Sequence, residues 1–350
     1  MRGRARADVG GVAGWKARIG QDGSVFAGVS RVRGVAALIG ADLVAAYRGG
    51  SRVERACYLL AAALVASGVA HLGVLLAAGG QWVGPLSWRK PMTFGLSFGL
   101  TLATMTWVLS FLPMRPRLRA GLLAAFGAAC AVEVAGITAQ AWRRVPSHFT
   151  PPDRFTGPDV LAAAAAAAGA VVIVAVVVVA AVRALRRGDE VDPVMRLALR
   201  VGFLSLLLAM AIGVLMLVGG QVLTRTQGEV AAAFAFTATL KPGHAATMHG
   251  VLVLPAIAWL LRFTDGGERF RLRVVRLACG GYAAFAAIVV AETLAGIDPL
   301  GAAPLLARVL PAVGALALVA AGATTLLALR RTDVTRIPFR DGRSRSAARS

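Results

Sequence analysis

Two of the chain's four histidines, His244 and His249, stand at the head of an apolar run, LKPGHAATMHGVLVLPAIAW, from Leu240 to Trp259. An imidazole in such surroundings can ligate a haem iron or a divalent metal, relay a proton, or satisfy a neighbouring carbonyl. Five residues of α-helix turn two side chains about 140° apart, so this pair converges on one ion only where the helix unwinds, with Gly243 the residue to allow it. His71 lies inside another apolar segment at a depth similar to that of His249. On facing helices, His71 and His249 could hold a haem b, or with Glu133 a divalent metal.

Glu133 is the sharpest clue, because a charge near mid-bilayer costs at least about 2.5–3.5 kcal/mol. It lies about 14 Å of helix below the end of its segment. A carboxyl in apolar surroundings holds its proton, so Glu133, with His249 and His71, forms the candidate set of proton donors and relays. The plainer role for Glu133 is a hydrogen bond to a neighbouring helix. Gln81, Gln140, Arg143, Arg144, His148, Gln221 and Glu292 fall toward the same side of the bilayer and are the candidate contacts for a small-molecule or lipid ligand. The opposite half is nearly all Ala, Val, Leu and Gly, which predicts a polar pocket opening outward between closely packed helices.

The elements that must position these groups follow from hydropathy. The chain has 350 residues, 57% of them hydrophobic, and a mean hydropathy of +0.71, which places it among integral membrane proteins. Eight apolar segments are long enough to cross a hydrocarbon core of about 30 Å, at about 56–78, 92–113, 118–142, 158–182, 197–219, 244–262, 272–295 and 303–329. The fold expected is an all-α polytopic transmembrane bundle.

A net charge of +21 ordinarily suggests nucleic acid, but its distribution excludes that partner. Of the 38 Lys and Arg residues, 30 fall on the two tails and the three loops of one side, and 8 on the other. That asymmetry is the positive-inside signature of eight helices with both termini in the cytoplasm of a plasma-membrane protein. The bilayer itself is the first partner, and the basic tails add a generic attraction to anionic headgroups. Val35 to Tyr47 fits a short amphipathic surface helix. Cys57, Cys130 and Cys279 have no Cys-x-x-Cys spacing and read as lone thiols packed in helices.

An ordered series of echoes divides the chain in two. GVLLAAGGQ (Gly73–Gln81) answers GVLMLVGGQ (Gly213–Gln221), and RKPMTFGLSFG (Arg89–Gly99) answers LKPGHAATMHG (Leu240–Gly250). Trp107 with Phe111 matches Trp259 with Phe263; Phe126 with Glu133 matches Phe285 with Glu292; ALRRGD (Ala184–Asp189) matches ALRRTD (Ala328–Asp333). The reading is a basic tail over 1–55, four-helix repeats over 56–189 and 190–333, and a basic tail over 334–350. Because four is even, the repeats are parallel, with a pseudo-two-fold axis along the membrane normal and a site between the halves. At the position of His249 the first half has Phe98, so His249 has no symmetric counterpart.

The segments WRKPMTFGLSFGLTLATMTWVLSF, EVAGITAQAWRRVPSHF and the His-x4-His run followed by VLPAIAWLL resemble a family of uncharacterised polytopic bacterial membrane proteins, over most of 56–263. The resemblance implies a fold and an emphasis on these segments, and no reaction. Where that family has Asn after Ser-His-Phe, this chain has Thr150. No phosphate-binding loop or His-Glu-x-x-His zinc helix is present. The functions that remain are transport or proton-coupled handling of a small molecule or lipid; acid-catalysed cyclase or isomerase chemistry on a lipidic or isoprenoid substrate; and electron transfer through haem b or a quinone. The first needs no cofactor.

Overall fold

Each apolar run becomes a helix, and side-chain capping marks three of the starts. The computed structural model describes residues 31–79, 82, 86–149, 156–186, 191–228, 230–297, 304–333, 335 and 337. After α1 (31–48) come α2 (Arg52–Ala78), α3 (Arg89–Leu109), α4 (Pro116–Trp142), α5 (Gly157–Leu185), α6 (Pro193–Gln227), α7 (Val230–Met248), α8 (Gly250–Leu260), α9 (Glu268–Leu294) and α10 (Leu305–Arg331). Ser51 opens α2 with a capping box: its hydroxyl accepts from Glu54 N–H at 3.2 Å, and the Glu54 carboxylate accepts from Ser51 N–H at 2.6 Å. Thr156 and Asp159 do the same for α5, and Asp192 caps α6 ahead of Pro193. With α7 and α8 counted as one span, eight helical stretches are long and apolar enough to cross a bilayer, and the described residues contain no strand.

The largest departure from the hydropathy reading is a long hairpin. The fifth segment was expected to end near 219 and the sixth to begin near 244, yet α6 continues to Gln227 and α7 already starts at Val230. From Gln221 to Lys241 there is one glycine, Gly228, and no proline, so little besides Gly228 stops helix propagation. At about 1.5 Å per residue, the 35 residues of α6 span about 52 Å and overshoot the hydrocarbon core by roughly 20 Å. Gly228, at φ 68°, closes α6 in the left-handed conformation that glycine adopts at little cost. Pro242 therefore lies inside α7, whereas Pro91 occupies the first turn of α3.

Helix neighbours correspond between the halves. α2 packs on α3 and α4, and α4 on α5; α6 packs on α7, α8 and α9, and α9 on α10. α5 against α6, and α3 against α8, join the two sets. Glycines allow the closest approaches. A Cβ on Gly99 would lie 2.7 Å from Val65 Cγ2 of α2, and one on Gly250 would lie 3.0 Å from Ser205 Cβ of α6. The core between the helices is Leu, Phe, Met and Val, with Leu102, Met105, Leu123 and Phe203 fully enclosed.

At the end of the bundle where α2 begins, called here the near end, four aromatic rings meet. Trp107 lies edge-on to Phe111 at 5.2 Å and to Trp259 at 5.7 Å, and Trp259 lies edge-on to Phe263 at 5.2 Å. α1 closes over this group. Val35 is buried in the core, and the Trp259 indole N–H donates to Asp42 Oδ2 at 2.9 Å.

Candidate functional site

The sixth span is interrupted at His249, six residues beyond the glycine expected to unwind it. In an unbroken helix the carbonyls of Ala246 and Thr247 would accept from Gly250 and Val251. Here the Tyr282 hydroxyl from α9 donates to the Ala246 carbonyl, and Ser205 Oγ from α6 donates to that of Thr247 at 2.7 Å. The helix then restarts, with Leu252 and Val253 N–H both donating to the His249 carbonyl. Backbone freed within a membrane must find such partners, so Ser205 and Tyr282 are what make the break tolerable.

The interruption borders a cavity of about 130 Å³ between α3 and the α7–α8 junction, thus between the two halves. α3 contributes Ser97, Thr101 and Thr104, spaced i, i+4, i+7 on one face; the other side brings His249 and Met248. Other hydroxyls of the spans commonly donate to their own helix, as Thr106 does to Leu102 and Thr247 to Gly243. Ser97, Thr101 and Thr104 have no hydrogen-bond partner among the described residues. No charged side chain lines the cavity. Sequence reasoning singled out His249 but missed the three hydroxyls, whose signal was their helical spacing.

The other candidates lie elsewhere. Glu133, 7% exposed, sits between α4 and α5, where a Cβ on Gly169 would come 3.3 Å from its Oε1. His71 is held in an aromatic group: Nδ1–H donates to the Ser67 carbonyl at 2.7 Å, Nε2 accepts from Trp142 Nε1–H at 3.1 Å, and the Trp88 ring stacks at 6.2 Å. Both nitrogens are thereby engaged, and an iron on His71 would have to displace Trp142. His244 is tied to α6 through Nδ1–H and the Ala209 carbonyl at 2.8 Å. Among the described residues no three His, Cys, Asp or Glu side chains converge as metal ligands.

Gln140 and Arg143 belong to a clamp joining the end of α4 to the start of α5. Gln140 Nε2 donates to Asp159 Oδ1 at 3.0 Å, and Arg143 Nη1 donates to Gln140 Oε1 at 2.6 Å and to Asp159 Oδ1 at 2.7 Å. Arg144, at φ 57°, lays its guanidinium over the Trp88 ring at 5.1 Å. Glu292 is buried near the far end of α9 with both carboxylate oxygens unpartnered among the described residues. Gln221 is a half-buried residue of the projecting part of α6, and Gln81 lies outside the described residues.

His148 belongs to a far-end loop that reaches from the first half onto the second. Phe149 inserts against Gly220 and Phe234, while Ser147 Oγ lies 3.1 Å from His148 Nδ1 and 3.5 Å from Lys90 Nζ. Lys90 in turn lies over the Phe234 ring at 4.5 Å. Burial, and then the charge of Lys90, hold the His148 imidazole down at about 4, against 6.5 when free. Between those values the detached loop binds a proton that the docked loop does not. Docking is therefore complete above about pH 6.5 and weakens as the pH falls toward 4, by up to about 3 kcal/mol. Amide-exchange protection factors for 145–149 should fall across that window, and His148→Gln should flatten the profile; a flat wild-type profile would contradict the assignment.

Comparison with protein families, with curated proteins and with solved structures finds no match for this chain.

Proposed function

We propose that this multi-pass protein of the plasma membrane, with both termini in the cytoplasm, moves or handles a small molecule or lipid at the α3–α8 interface, with His249 as the proton-coupled group. One observation carries the reading: a transmembrane helix broken at a histidine, beside a cavity between two four-helix halves. Discontinuous helices at the interface of repeats are how membrane transporters build substrate sites, since the broken segment exposes polar backbone and can shift between two packings. The duplication of 56–189 in 190–333 is supported by the matching helix neighbours. It is supported also by Gly99 on Val65 against Gly250 on Ser205, and by the aromatic quartet that joins Trp107 to Trp259. The excess of Arg and Lys at the near end supports its cytoplasmic placement.

Rocking of one half against the other about the near-end aromatics would open the cavity at its far side. Glu133, on the α4–α5 side, is a second proton carrier of the first half. The test is proton flux into proteoliposomes of the purified full-length chain, followed with an internal pH dye under an imposed potential. His249→Asn should reduce the flux at least about tenfold, the scale of a lost proton-relay group. Wild-type flux no greater than in empty vesicles, or flux that survives His249→Asn, would remove this reading.

A further inference from the structure

We infer that the cavity beside His249 binds the head of a membrane-dissolved amphiphile that carries a neutral O–H group, an alcohol or an unionised carboxylic acid. The inference deepens the proposed function and rests on it only for what happens to the ligand afterwards.

His249 Nδ1 lies 2.7 Å from the Ala245 carbonyl, which can only accept, so Nδ1 carries a proton and, in the neutral imidazole, Nε2 is the lone pair. That lone pair needs a donor. Ser97, Thr101 and Thr104 face the same space, each able to donate as well as accept. An ether, ester or ketone would accept from the hydroxyls and leave Nε2 unmatched; a hydroxyl or carboxylic acid head answers both at once. Such unmet polar groups inside a bilayer cost more than they do in water, which favours an occupant.

Size and access narrow the class. About 130 Å³ is slightly less than the roughly 150 Å³ that encloses a benzene ring, so the cavity takes a head and the first few carbons, not a phospholipid headgroup. The lack of charged lining excludes phosphate and ammonium heads. Entry is lateral. Leu100, 46% exposed at the middle of α3, and His249 itself lie at the mouth, Leu100 being about 16 Å of helix from the start of α3 and about 14 Å from its end. At that depth the medium outside is hydrocarbon, where the ligand's chain would remain.

The full-length chain in nanodiscs is photolabelled with a dodecanol that carries a diazirine near its hydroxyl, and labelled peptides are mapped by mass spectrometry. Label should concentrate on 96–104 and 248–252, and 1-dodecanol should compete about tenfold better than dodecyl methyl ether, the scale of one hydrogen bond to an otherwise unmet acceptor. His249→Phe and Thr101→Val should abolish that preference, while Thr101→Ser restores it. Unchanged thermal midpoints show that the variants fold; if either misfolds, the alcohol-over-ether ratio of the wild type decides alone. Dodecanoic acid competing only at acidic pH, and better than dodecanol, would assign the acid, and the reverse the alcohol. Equal competition by the ether, or label spread over all lipid-facing helices, would overturn the inference. Selective binding without proton flux removes the transport reading alone; flux without selective binding removes this one alone.

Discussion

Gly95→Leu should prevent α2 and α3 from assembling, and Gly95→Ala should already lower stability by about 2–3 kcal/mol. A Cβ at Gly95 would lie 2.7 Å from Gly68 N, 2.8 Å from Gly68 Cα and 2.8 Å from the Leu64 carbonyl oxygen. Every one of those atoms is backbone, so no rotamer change relieves the contact and the helices must move apart. Gly68 meets the mirror of this restriction, with Leu96 N at 2.7 Å from its own missing Cβ. Between helices in lipid there is little hydrophobic driving force, and close backbone approach supplies much of the attraction, so separation is doubly costly. Gly121→Ala and Gly136→Ala in α4, where a Cβ meets nothing within 4 Å, are the controls. Thermal unfolding in detergent should show a large drop for the Gly95 variants and little change for the controls. A Gly95→Ala protein as stable as the controls would mean that the α2–α3 contact is looser than described.

Phe149→Ala should undock the far-end loop from the second half and cost about 3 kcal/mol, within the range for deleting a buried phenylalanine ring. The ring is 6% exposed, packs against Gly220 and meets Phe234 edge-on at 5.4 Å. It does so from a backbone at φ 62°, a conformation that a bulky residue adopts only when its surroundings hold it there. Packing and strain thus oppose each other at one residue, and two substitutions separate them. Phe149→Gly removes both, so it should be less damaging than Phe149→Ala by about 1 kcal/mol, because glycine accepts the positive φ. Limited proteolysis within 143–149 should accelerate in both variants. If Phe149→Gly proves more stable than the wild type, strain outweighs packing and the docking assignment is wrong.

The spans were legible in the sequence because hydropathy over twenty residues reports directly on the solvent of a helix. So were the near-end aromatics as a repeated pair, although their meeting across the halves was not. What the sequence concealed was decided by residues far apart along the chain. The helix broke at His249 rather than near Gly243 because Tyr282 and Ser205 capture the Ala246 and Thr247 carbonyls, and neither residue is local to the break. Gln140 and Arg143 resembled ligand contacts until Asp159, in the next helix, accounted for both. His71 had the composition of a metal ligand, and Trp142 occupies its second nitrogen. Ser97, Thr101 and Thr104 were passed over because hydroxyls are ordinary in membrane helices; only the cavity distinguishes these three from the Thr residues that bond their own backbone.

The bond from Trp259 to Asp42 joins residues 217 positions apart. A ribosome adding about 5–20 residues per second needs roughly 10–40 s to supply the second partner after the first has emerged. Throughout that interval Asp42 of α1 lacks its partner, and the outward residues Leu43, Val44 and Tyr47 suit the helix to wait at the lipid interface. Closure of the near end is therefore a late event in biogenesis, and a chain truncated before Trp259 would leave α1 stranded on the membrane.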